Sequence, residues 1–457
     1  MKRDLVTDLL RDLAERVAKE KLGELELFLI KEKTVSIEVF NQTIDTFQLA
    51  QTQGVGLRLL KEGRCGYSFT EKIDQPSLEK AFQQASANAA INAPDESYAL
   101  SQPNSSYPKL DLINEEIERV PLPAKIEMAK ALEKKAKSYD SRIINVPSSY
   151  YGEGRREVTL INSLGLEASF ASNLAGLAID IMAQQTVETK SAFRHKTSRG
   201  MKELNPEKIA KEAAKEGVDL LGARSISTGN YPVVFTPETG RQILGAFTPI
   251  FSAKNVQEGK SLLLGKLNHQ LAASSISLID NPLLPAGLAS RPFDDEGTPS
   301  RVVHVIKDGT LQSYLHNNST ARKDGVPSTG HARRASIKSA LDIAPSNFLL
   351  STSGTPHSSA LLPGKVEKGI MVVNLHGLHS GTNAISGDFS LGAQGFFFEG
   401  GEILHPVHNF TIAGNFLSLL QDILELGDDF EPGPTGAGGS SICTPSFLVS
   451  SLSVSGS

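Results

Sequence analysis

Cysteine is nearly missing from this 457-residue chain, which has only Cys65 and Cys443, far apart in sequence. That scarcity argues against a disulfide framework and points to a reducing compartment. No apolar run approaches the roughly 20 residues needed to span a bilayer, so a membrane-spanning helix is not expected. A basic excess is also missing: 46 Lys and Arg face 51 Asp and Glu, for a formal net charge of -5. This balance argues against a broad electrostatic hold on nucleic acid, so that any DNA role would be indirect. There is no convincing internal repeat. The first residues, MKRDLVTDLLRDLAERVAKEKLG, place Leu5, Val6, Leu9, Leu10, Leu13 and Val17 at helical spacing among charges. They predict an amphipathic helix and not the apolar core of a signal peptide, and the expected location is the cytoplasm.

What is present is a globular composition, 39% hydrophobic and 21% charged, at a length that suggests two domains. Residues 25 to 69 alternate apolar and polar, with breaks at Asn41-Gln42, Gln53-Gly54 and Glu62-Gly63, and predict a strand meander. Pro76 opens a helix through Ala90, and a second helix runs from about Pro123 to Ser138. The segment EVTLINSLGLEASFASN reads as a hairpin turning at Asn162 to Gly165, with a further strand at Leu177 to Met182. Asn205-Pro206 then caps and opens a helix reaching Leu221. From Tyr231 onward glycine is dense and short β-rich runs dominate. The expected fold class is α+β: an α+β N-terminal domain over 1–224, with meanders and helices, and a β-rich C-terminal domain over 225–457. Apolar strands such as SFLVSSLSV, with Phe396-Phe397-Phe398, must be buried internally or against another subunit. The stretch Asp428 to Ser441 reads as a loop.

In the second half GKSLLLGKL, RPFDDEGTPSRVVHVIKDGTLQSYLHN, STGHARR, SGDFSLGAQGF, FTIAGN and ICTPSFLVSSLSVSG follow one another, after GVGLRLLKEGRCGYSF and LINSLG in the first. Together they resemble the TldD/PmbA family, also called the modulator of DNA gyrase or peptidase U62 family, and within it the TldE/PmbA-like branch. In the other branch a helix carries LLHExxxH, whose histidines hold a metal beside a glutamate able to polarise water. Matching Ile243 and Leu244 to the two leucines puts the functional positions on Gly245, Ala246 and Ile250, none of which can ligate metal or move a proton. Pro249 is expected to bend that helix. The resemblance therefore implies a partner subunit that binds no cofactor. It would complete a chamber with a TldD-like HExxxH subunit, which carries the zinc, in a metalloprotease complex. That complex would degrade unfolded or extended peptides or process peptide precursors.

Two alternatives stand beside this. An autonomous metallopeptidase would need a relocated site, and His376, His379, His405, His408 and Cys443 are the available ligands. A homodimeric peptide-binding or gyrase-modulating protein would need no catalysis. Asp294, Asp295 and Glu296 resemble paired carboxylates for acid/base work, although the following Gly-Thr-Pro favours a turn. Asp295, Glu296, Asn383, Asp388 and Ser390 are the candidate peptide or chamber-loop residues, with Asp388 expected to accept backbone N–H bonds. Gly436 to Gly439 has no Lys-Ser/Thr after it and is not a phosphate loop. The cluster Arg322, Lys323, Arg333, Arg334 and Lys338 reads as a solvated face.

Overall fold

A computed structural model describes residues 5–104, 106–435 and 439–456. The first helix, α1 (Leu5–Lys19), leads into β1 (Glu24–Phe40), β2 (Thr43–Lys61) and β3 (Arg64–Thr70). Next come α2 (Gln75–Ile91), α3 (Glu115–Arg119) and α4 (Leu122–Lys137), then β4 (Ile143–Asn162), β5 (Glu167–Gln185), β6 (Glu188–Ser198) and α5 (Pro206–Asp219). The six strands form one antiparallel sheet in the order β3-β2-β1-β4-β5-β6. Alternation assigns its two faces. Leu25, Leu27 and Leu29 point toward α1 and α2, and Val35, Ile37 and Val39 belong to the core under α4 and α5. Glu26, Phe28 and Ile30 point the other way, where Phe293 of the C-terminal half packs against Phe28 and Ile30.

The expected hairpin at Asn162 forms, its side chain accepting from the Leu164 and Leu166 N–H groups at 3.0 Å. Asn205 caps α5 as expected, accepting from Lys208 N–H at 3.1 Å. Two strand expectations need correcting. The segment Leu177 to Met182 is part of the 19-residue β5. No break occurs at Gln53-Gly54, because β2 runs straight through it. Gly54 serves close approach there: a Cβ would lie 2.1 Å from the Ile337 side chain.

The second half continues with β7 (Gly229–Phe235), α6 (Pro237–Phe247), α7 (Ala253–Gln257), β8 (Ile276–Asp280), β9 (Val303–Lys307) and β10 (Thr310–Leu311). Then follow α8 (Asn318–Asp324), β11 (Ala332–Arg333), β12 (Asp342–Ile343), β13 (Asn347–Thr352), β14 (Lys368–His376), β15 (Asp388–Glu399) and β16 (Glu402–Asn415). The chain closes with α9 (Phe416–Gln421), β17 (Ile423–Leu426), β18 (Glu431–Thr435), β19 (Ser440–Thr444) and β20 (Phe447–Ser455). One sheet has the order β10-β9-β8-β13-β19-β18, the other β16-β15-β14-β7-β20-β17, and one hydrophobic core draws on both. Mixed α+β architecture is thus as the sequence suggests. The segment expected as a loop at Asp428 to Ser441 instead supplies all of β18 and the start of β19, while residues 436–438 lie outside the described residues. The apolar strand SFLVSSLSV is buried within its own subunit, Phe447, Val449, Leu452 and Val454 belonging to the shared core and Leu448 to a smaller cluster on the other face. Among the described residues no helix is long and apolar enough to cross a membrane.

Candidate functional site

The helix that would carry a metal motif is α6, which touches both C-terminal sheets. Thr236 caps it and Pro237 opens it, an arrangement that fixes its start. Thr239 donates its hydroxyl to the Val372 carbonyl of β14 at 3.1 Å. Gly240 lets β19 and β20 close in, since a Cβ there would lie 2.8 Å from Thr444 and Phe447. The helix stops at Phe247, whose ring stacks on Phe416 at 4.4 Å. Pro249 therefore does not bend α6; it lies in the 3-10 turn Thr248–Phe251 that ends it. Gly245 and Ala246 are half-buried, while Ile250 lies outside the α-helix and is fully buried. These three positions do not fit zinc, because none offers a side-chain N, S or O donor.

Beside α6 lies a cleft of about 640 Å³ lined by Arg194, Glu216, Phe396, Leu404, His405 and Glu431. Lys196 reaches Glu431 at 3.0 Å, and Arg241 of α6 reaches it at 3.6 Å. Burial drives the His195 imidazole below its ordinary pKa, favouring the neutral ring. The cleft thus combines apolar walls with fixed charge.

The histidines of the alternative metal reading are dispersed. His376 ends β14 and His379 lies in the following loop, both exposed. His405 stacks on Phe397 at 5.4 Å and donates Nδ1–H to the Pro406 carbonyl, whereas His408 is exposed. Among the described residues no three His, Cys, Asp or Glu side chains converge on a metal position. Cys443 is fully buried in β19, its Sγ 3.6 Å from Ser441 Oγ, and burial pushes the thiol up to about 11. At pH 8 roughly one such thiol in a thousand is ionised. Native protein treated with iodoacetamide at pH 8 should leave Cys443 unmodified, and guanidinium-unfolded protein should be alkylated there fully. Peptide mapping checks this, and rapid native alkylation of Cys443 would show the thiol to be accessible.

The acidic triplet is buried. Asp294 accepts from Glu296, Thr298 and Ala332 N–H groups at 2.9–3.0 Å, closing a turn. Burial and the neighbouring Glu296 push its carboxyl up to about 7. Glu296 is fully buried, and its Oε1 binds Arg58 at 2.8 Å while Oε2 accepts from Asn318 N–H. Arg58 also holds Glu26 at 2.8 Å, and Glu26 binds Arg334 as well. Neither Asp294 nor Glu296 reaches solvent, so acid/base work on a substrate is excluded for both. Asp295 is 3% exposed and accepts from the Arg334 N–H at 2.7 Å.

The expected solvated basic cluster is also corrected. Arg334 is fully buried, with its guanidinium over the rings of Phe28 and Tyr67 at 5.2 Å each. Two of its nitrogens make no hydrogen bond, and the aromatic faces take that charge. Arg322, Lys323 and Lys338 are exposed. Sequence reasoning missed this network; the one available signal was Glu26, a carboxylate inside an otherwise apolar run of β1. Asn383, Asp388 and Ser390 lie elsewhere, in and after the exposed loop between β14 and β15. The Asn383 side chain accepts from Ile385 and Ser386 N–H groups, and Ser390 N–H donates to Gly381. Asp388 accepts from the Asn415 side-chain amide at 3.0 Å, so its expected backbone partners are replaced by a side chain. That bond and Ser386 hold its carboxyl below the usual range.

Family models match residues 25–89, 115–221 and 228–456, described respectively as PmbA/TldA metallopeptidase domain 1, central domain and C-terminal domain. The first two contribute strands to one sheet. The chain belongs to the PmbA/TldD metallopeptidase family. It is similar to a metalloprotease PmbA homolog of Haemophilus influenzae, 26% identical over 97% of this chain and 94% of that protein. Similarity to metalloprotease PmbA of Escherichia coli O157:H7 is also 26%, over 92% and 90%. A candidate modulator of DNA gyrase from Thermotoga maritima superposes with a TM-score of 0.89 at 31% identity, over 98% of this chain and all of that one. TldE from Thermococcus kodakarensis shares the fold, with a TM-score of 0.89 at 23% identity over 98% of this chain and all of that one.

Proposed function

We propose that this chain is the non-catalytic partner subunit of a TldD/TldE-type metalloprotease. In this reading a TldD-like HExxxH subunit supplies zinc and hydrolysis. This chain forms a heterodimer with it in the cytoplasm, helps admit unfolded or extended peptides, and contacts neither nucleic acid nor membrane directly. The observation that carries the reading is the substitution at α6: Gly245, Ala246 and a fully buried Ile250 stand where the catalytic branch needs two ligands and a base. The apolar and charged walls of the cleft beside α6 support a binding role.

The test is a quenched-fluorescent unfolded peptide offered to the purified chain alone, to an HExxxH homologue alone, and to both. Chelator-sensitive hydrolysis should rise at least tenfold when the chain joins the homologue, and the chain alone should give none. Robust chelator-sensitive cleavage by the chain alone, free of any homologue by mass spectrometry, would promote the autonomous metallopeptidase. No effect on the homologue, with a stable homodimer in light scattering, would favour the regulatory reading.

A further inference from the structure

A second cleft, of about 280 Å³, opens where the N-terminal sheet meets the C-terminal half. Its volume lies just below the ~300–1,000 Å³ range of small-ligand sites. Five arginines line it, against the carboxylates of Glu32 and Asp295. Arg155 turns to Glu118 and Glu157, at 2.7 and 2.9 Å. That leaves Arg156, Arg199, Arg291 and Arg333 facing two carboxylates, a local excess of positive charge in a chain whose net charge is negative.

For Arg156, Arg199 and Arg291 the partners leave charge or donors over. Arg199 is 7% exposed and donates only to the carbonyls of Leu112, Asn173, Gly287 and Leu288, which satisfy its hydrogen bonds but not its charge. Arg291 is 2% exposed, reaches two carbonyls at 3.4 Å, stands 3.8 Å from Asp295, and leaves its Nε–H without a partner. The Nε–H of Arg156 is likewise buried without a hydrogen bond, 3.7 Å from Glu32. Buried cations with unused donors are costly unless an anion completes them. Arginine forks match the two oxygens of a carboxylate. Val158, Phe170, Leu174 and Leu288 supply apolar wall beside them.

We propose that this cleft binds the terminal carboxylate of a peptide, with Arg156 and Arg291 taking the oxygens and the apolar wall taking the last side chain. An oxyanion is the chemistry the arginines recognise; the apolar wall favours a peptide end over inorganic phosphate. The proposal rests on the peptide-handling reading above and gives that role an end-recognition element outside the cleft beside α6.

The test uses the full chain and an N-terminally fluorescein-labelled Gly-Ser-Ala-Gly-Leu, as free acid and as C-terminal amide, with binding followed by anisotropy at low salt. The acid should bind at least tenfold tighter than the amide. Arg291→Gln and Arg156→Gln should each weaken the acid about tenfold while leaving the amide unchanged. Arg156 has a side chain 28% exposed, so its variant keeps the test valid if Arg291→Gln does not fold. Inorganic phosphate should displace the acid only at millimolar concentration. Equal binding of acid and amide, no binding of either, unchanged affinity in a folded variant, or displacement by micromolar phosphate would each overturn the assignment. If these fail while the homologue-dependent hydrolysis persists, only the carboxylate site is lost. If they succeed without that hydrolysis, the partner-subunit reading is what falls.

Discussion

Replacing Arg58 by methionine should destabilise the protein by about 3–5 kcal/mol, because it strands the buried Glu296 and takes one of two arginines from the buried Glu26. Arg58 is 5% exposed and binds Glu26 and Glu296, each at 2.8 Å. Methionine fills similar volume but leaves Glu296 with one backbone N–H and Glu26 with Arg334. The pH dependence of the difference has a definite sign. Burial already raises the Glu296 carboxyl, and the Arg58 charge is the largest influence lowering it. Removing that charge raises the folded-state pKa further above the unfolded value near ~4.3. A group shifted upward favours folding when protonated, and that contribution is lost as pH rises through its folded pKa. The deficit of Arg58→Met relative to wild type should therefore be largest near pH 8 and shrink toward pH 5. Urea denaturation of both proteins across that range measures it. A deficit under 1 kcal/mol, or one that grows on acidification, would show that the network is not held by this guanidinium.

Restoring the metal motif should not restore catalysis. The triple change Gly245→His, Ala246→Glu, Ile250→His supplies the three side chains but not their frame. Position 250 lies on the 3-10 turn beyond the end of α6, inside the core. An imidazole there loses apolar burial and needs a buried hydrogen-bond partner, at a cost on the order of 2–5 kcal/mol. Ligands without a supporting shell bind metal loosely. The variant should fall below one hundredth of the activity of the chain paired with its catalytic homologue, and should not retain stoichiometric zinc after desalting. Peptide turnover and elemental analysis read this out, with thermal melts reporting the lost stability. Chelator-sensitive turnover near that of the pair would mean that substitution at these positions alone silences the chain.

The N-terminal sheet and its helices were legible because their signals are local. Alternation in β1 and β2, the Asn162 turn, and the Asn205-Pro206 start of α5 each depend on residues within a few positions of one another. The motif order in the second half carried the family, and the replaced motif positions carried the partner-subunit reading. Less legible were features whose cause lies far along the chain. Gly54 looked like a break because the Ile337 side chain that needs it is distant in sequence. The segment from Asp428 looked like a loop because Pro and Gly can also sit on a short strand such as β18, at the end of its sheet.

The sequence by itself therefore determined the α+β class, most of the N-terminal elements, and the replacement of the motif positions by Gly245, Ala246 and Ile250, since composition, periodicity and side-chain chemistry belong to the chain. Only the tertiary structure decided where the charges sit. Arg334 reads as solvent-facing among Arg333 and Lys338, yet it lies between two aromatic rings and beside Glu26. Arg156, Arg199 and Arg291 have no spacing that links them, yet they meet at one cleft. The physical reason is that burial of a charge is set by what the opposite domain presents to it, and no local pattern encodes a partner tens to hundreds of residues away.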